Sequence, residues 1–248
     1  MNLSKALNTS IPLPNFTTFT SLHLTPNMDD ISFLSSPSPN AELKIRTPDG
    51  EIKELQLNLE KIENACALFA FEFDDADQFM RKLLVQASSQ TVMICFLRFL
   101  YTGTYMPSMD TSEPCRFLVH AELYRKAEIY DLAALQVQAY QNLLQELELA
   151  CCLPQTSIDL CETITFLYEQ LREHKSIIEN VLHYVVSCFI YHRLNDDGGF
   201  RKLFYEHDMF RKDLATMNFK RGFQDEGMSH LHFEIFNLQA NCRIRLCT

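Results

Sequence analysis

Four groups of residues in this chain are of types that do chemistry: His120-Ala121-Glu122, the pair Cys188 and His192, the carboxylates Asp74, Asp75 and Asp77, and His183. His-x-Glu is the first half of a zinc-deaminase signature, whose second half, Pro-Cys-x-x-Cys, must follow further along the chain. Here Pro114-Cys115 comes before it, so His120 and Glu122 read as a polar pair on an amphipathic helix. Cys188 and His192 stand four apart on one helical face, as two metal donors would. No Cys-x-x-Cys or second pair completes a tetrahedral site, and they read as a buried thiol and a histidine near a helix end. The adjacent Cys151-Cys152 is too close-spaced for a ligand pair and flanks a helix terminus. The aspartates lack the spacing and terminal Glu of a calcium loop and suit a helix start instead. His183, between Leu182 and Tyr184, reads as a core or interface histidine. No G-x-S-x-G, H-E-x-x-H, P-loop or G-x-G-x-x-G occurs. The expectation is a chain with no catalytic residue, cofactor or metal. An enzyme or metal protein built on Cys and His is the rival of a different class.

Composition narrows the partners. The formal net charge is −10 over 248 residues, and no Lys/Arg cluster offers the basic face that phosphates require. Lys220-Arg221 is the richest candidate and is too short. The same charge disfavours anionic membranes, and no apolar run reaches the ~20 residues that span a bilayer. The nine cysteines are scattered through apolar patterns, and the start lacks a basic segment leading into an apolar run. These features predict an intracellular protein, cytoplasmic or nuclear, with reduced thiols. Other proteins are the partners left.

The elements that must position these residues follow from periodicity. Residues 1–40 are rich in Ser, Thr, Pro and Asn and read as a disordered tail. Its Thr25-Pro26, Ser36-Pro37 and Ser38-Pro39 read as linker composition in preference to phosphorylation sites. Leu43 and Ile45, then Leu55 and Leu57, alternate with charges around Pro48-Asp49-Gly50, which predicts a two-stranded hairpin. Helical stripes follow: Ile62, Cys66 and Phe69, then Phe79, Leu83 and Leu84, the second beginning at the aspartates. Ser88 or Ser89 caps a helix carrying Val92, Met93, Cys95, Phe96, Phe99 and Leu100, apolar nearly all round and therefore buried. Further helices are expected over roughly 115–129, with Glu122 and Lys126 in favourable order, and from Leu132 to near Pro154. Others carry Ile158 to Leu171, begun by Ser157, and Ile177 to Phe189, then a loop at Asn195–Gly199. Two short helices close the pattern, around Phe200–Glu206 and Met209–Met217. Beyond them Leu231, Phe233 and Ile235 alternate and suggest a strand or a docking arm.

One family resemblance rests on particular residues. Phe99-Leu100-Tyr101-Thr102-Gly103, followed by Tyr105, resembles the helix and turn of BTB/POZ domains. Tyr124, Ala127, Tyr130, Asp131 and Leu135 are similar to that family's next helix pair. Phe166 to Glu169 and Phe200 to Leu203, with Phe210 and Leu214, resemble the BACK-like helical extension of fungal members. The first half diverges, since no His-Lys pair follows the hairpin and residues 59–80 lack Ser-Pro. The resemblance implies an α+β, predominantly helical chain. Residues 41–153 would be a BTB/POZ-like domain with a small sheet, 154–217 an all-helical extension and 218–248 a weakly structured arm. It also implies a protein–protein interaction module, dimeric if it pairs with itself. The sharpest form is a substrate adaptor for a cullin-3 ubiquitin ligase, and a corepressor-type scaffold is the second.

Overall fold

The computed structural model describes residues 30–35, 38–74, 80–106 and 116–220. The protein is α+β and mostly helical, with one small mixed sheet. The expected hairpin forms from β1 (Ala41–Arg46) and β2 (Ile52–Leu57), with Leu43 opposite Leu55 and Ala41 opposite Leu57. Its turn follows from chemistry: Gly50 takes φ +88°, and Gly50 N–H donates to Thr47 O. Thr47 and Asp49 pair through their side chains. Only glycine enters that left-handed region without strain.

After α1 (Leu59–Ala65) and α2 (Ala67–Phe71) the expectation of a second helix is corrected. Arg81–Gln86 is a strand, β3, parallel to β1, with Leu83 beside Leu43 and Val85 beside Ile45. Leu83 and Val85 belong to a period of two that turns one face to the core, whereas Leu84 is half exposed. Asp74 caps no helix; it makes an isolated antiparallel bridge to Lys82. Phe79, Asp75 and Asp77 lie outside the described residues, as do Thr25, Ser36 and Leu231–Ile235.

The apolar helix is α3 (Gln90–Thr102), capped by the Ser89 hydroxyl, which accepts from Val92 N–H at 3.3 Å. Its one buried cation, Arg98, donates to Tyr105 O at 3.1 Å and to Asp30 O at 2.7 Å. That second bond seats a short 3-10 turn, Ser32–Leu34, which the sequence reading placed within the tail; Leu34 is buried.

The antiparallel pair α4 (Phe117–Ile129) and α5 (Ala133–Cys152) follows. Asp131, at φ +53°, turns the chain between them. Next come α6 (Leu160–Gln170), α7 (Lys175–Cys188), α8 (Gly198–Glu206) and α9 (Asp208–Lys220). Ser157 is not the cap of α6: its hydroxyl donates to Asp159, the residue that precedes the helix, at 2.5 Å. Ile158 points outward instead of joining the stripe. Gly198 and Gly199 are corrected from loop to helix, because the Asp197 carboxylate accepts from Phe200 N–H at 2.6 Å and starts α8 there.

Two apolar cores result. One joins the sheet, α1 to α3 and the near halves of α4 and α5, through Leu123, Ala127, Leu135 and Ala139. The other joins α6 to α9 with Phe117, Ala121, Leu143 and Leu147. The α4–α5 pair therefore belongs to both.

Candidate functional site

The residues singled out by the resemblance gather at the end of α3 and at the α4–α5 corner. Gly103 closes α3 at φ +78°, its N–H donating to Phe99 O at 2.8 Å. Leu100 is buried and Phe99 half-buried. Thr102 is exposed, its hydroxyl 2.8 Å from Arg98 O. The Tyr101 hydroxyl accepts from Asn58 N–H at 2.7 Å, and its ring meets Phe33 edge-on at 5.8 Å. Ala127 and Leu135 are core residues. Tyr130 packs on Phe69 and Phe96, both at 5.3 Å between centroids, and donates to Glu72 at 3.2 Å. Burial, reinforced by Glu72, holds its phenol well above the usual value.

Three histidines are used in a way that no motif announces. Tyr105, fully buried, meets His120 Nδ1 through its hydroxyl at 2.7 Å. His120 Nε2 lies 3.1 Å from Glu146 Oε1, off the line of a straight hydrogen bond. The other Glu146 oxygen accepts from Arg116 N–H at 2.7 Å, at the start of α4. The arrangement repeats twice. Tyr124 meets His174 Nδ1 at 3.2 Å, and His174 Nε2 is 3.1 Å from Glu128. Tyr184 meets His192 Nδ1 at 3.2 Å, and His192 Nε2 donates to Leu153 O at 2.9 Å. At His192 the Leu153 carbonyl can only accept, so Nε2 carries a proton there and Nδ1 faces the Tyr184 phenol. The Tyr–His separations of 15, 50 and 8 residues leave no local spacing to find.

These pairings occupy the candidate chemical residues. His192 has both ring nitrogens occupied, its backbone N–H donates to Cys188 O at 2.8 Å, and Cys188 is buried in the second core. His120 and Glu122 diverge: Glu122 accepts from the Ser88 hydroxyl at 2.6 Å, away from the Tyr105–His120 contact. Burial raises the Glu122 carboxyl, opposed by Ser88 and Lys126, and lowers the Lys126 ammonium. Burial also pushes the Cys161 thiol up to about 11, with Asp197 adding to it, which suppresses the thiolate a nucleophile needs. His183 is half-buried on α7. Among the described residues no group of three or more His, Cys, Asp or Glu side chains is arranged to hold a metal. No described helix is long and apolar enough to cross a membrane.

The short helix α2 exposes apolar side chains. On α2, Phe69 is fully buried while Phe71 is 91% exposed and Leu68 55%. Glu63, Glu72 and Asp74, all exposed, flank the pair in sequence. Neither a protein-family model nor a curated protein matches the chain.

Proposed function

We propose that the chain is a non-catalytic protein–protein interaction module of BTB/POZ-like type, extended by the α6–α9 helices. The observation that carries this reading is Phe71. A phenylalanine bared to 91% on a helix whose other face is core has no folding role to offset its hydration. Large aromatics of this kind anchor interfaces. The acidic residues beside it favour a partner with a basic rim around an apolar recess, and steer its approach. A standard interface would cover roughly 800 Å² on each side. The hairpin, the helix ending at Gly103 and the α4–α5 pair, in that order, support the family reading.

The finer form of the proposal is a substrate adaptor of a cullin-3 ubiquitin ligase. Its test is capture of cullin-3 by the purified full chain, against a helical protein of similar charge. Enrichment supports the adaptor reading, and its absence overturns that reading while leaving the wider one to the Phe71 experiment below.

A further inference from the structure

We propose that the groove between α7 and α9 holds this chain's own continuation, residues 228–238, turned back from the end of α9. This goes beyond the α2 patch, stands on different residues and does not depend on the partner proposed there. The segment itself lies outside the described residues.

Helical spacing builds the groove. Lys175, Ile178, Glu179 and Leu182 line it from α7, and Met209, Asp213, Thr216, Met217 and Lys220 from α9, around a cavity of about 500 Å³. Residues three and four apart share one helix face, so each wall runs along its helix for roughly two to three turns. Ile178, Leu182 and Met217 are buried members of the second core, while Met209 is 41% exposed. Unbranched methionines adapt to the shape they meet. The charges around the cavity balance, with Arg172, Lys175 and Lys220 against Glu173, Glu179 and Asp213. Asp213 is also held by the Tyr168 hydroxyl, which donates to it at 3.0 Å. Such a groove attracts neither a basic nor an acidic occupant. It fits an apolar segment of little net charge.

The chain supplies that segment at the rim of the groove. α9 ends at Lys220, itself a lining residue, and the continuation leaves from there. Residues 228–238 contain Met228, Leu231, Phe233, Ile235, Phe236 and Leu238, with Glu234 as the one carboxylate and no Lys or Arg. A stretch this apolar gains by leaving water, and its near-neutrality matches the balanced rim. Reach is sufficient. The groove wall from Met209 to Lys220 is ~17 Å long at the rise of a helix, and the eight residues after Lys220 extend up to roughly 26–29 Å. Tethering then selects the occupant. A short linker gives an effective concentration of order millimolar, which the same segment of a second copy, or a segment of another protein, does not reach at micromolar concentration.

The test uses the full chain with a benzophenone side chain placed at Phe233 and, in a second preparation, at Phe236. Ultraviolet light couples benzophenone to nearby C–H bonds, and mass spectrometry of the digest reads where it lands. Links should form to Met209, Met217 or their neighbours on α7 and α9, within one chain and at a yield independent of protein concentration. Thr216→Asp puts an unpaired carboxylate against the apolar segment from an exposed position and should cut that yield by about tenfold or more, with helix content unchanged. Leu231→Asp should do the same from the segment's side. The proposal is overturned if neither probe links to α7 or α9, or if the yield survives either substitution. It is also overturned if the links join two chains and rise with concentration, which would assign the groove to a second copy.

Discussion

The Tyr105 hydroxyl and His120 Nδ1, 2.7 Å apart and both fully buried, tie the segment after α3 to the middle of α4. Burial drives the Tyr105 phenol far above its ordinary value, opposed by Asn142, so the phenol is a donor at every working pH. Removing that hydroxyl leaves His120 Nδ1 inside the core without its hydrogen-bond partner. Tyr105→Phe should therefore lower unfolding free energy by about 1–3 kcal/mol, measured by urea titration. Tyr124→Phe removes the same hydroxyl from a half-buried pair that water can reach, and should cost less. Equal costs would refute the burial argument.

Glu122 gives the pH prediction. Its carboxyl is raised in the folded protein from an ordinary value of 4.5, burial being the main cause. For a group raised on folding, its contribution is fully present below the unfolded value and is lost as pH rises through the folded one. The charged form is then a burden at neutral pH. Glu122→Gln keeps an acceptor for Ser88 and should raise the melting temperature at pH 7, with the gain shrinking towards pH 4. A loss of stability at pH 7 would show that the attraction to Lys126 outweighs burial.

Gly103 separates conformation from packing. A Cβ added there meets nothing within 4 Å, but the backbone stands at φ +78°. Gly103→Ala should cost about 1–2 kcal/mol through backbone strain alone. Gly198 has equally open surroundings and no left-handed φ, and Gly198→Ala should be neutral or stabilising by roughly 0.5–1 kcal/mol. Thermal melts of the two variants test the pair.

Legibility in the sequence followed the range of the interaction. The hairpin was readable because Leu43, Ile45, Leu55 and Leu57 alternate around a Pro-Asp-Gly turn, all within 15 residues. The stripes of α3, α5 and α7 were readable for the same local reason. β3 was not: Leu83 lies four residues from Phe79, a helical spacing, and the parallel strand that overrides it is about 40 residues away. Gly198-Gly199 resembled a loop until the Asp197 cap offset the low helix propensity of glycine. Among the possible chemical residues, spacing placed His120 and Glu122 on one helix, and only the fold revealed that they face different partners. Phe71 carried no signal either, because an apolar stripe does not say which of its members the core will leave outside.

The exposed face of α2 is proposed to hold a protein partner. Its most direct test is affinity capture from an extract of the source cell, with quantitative mass spectrometry, comparing the full chain with Phe71→Ser. The side chain makes little contact with the fold, so melting should shift by less than about 0.5 kcal/mol equivalent. The account expects at least one protein held by the unaltered chain to fall about tenfold or more in the variant, the loss of an interface anchor. An identical set of captured proteins at equal melting temperature would contradict it.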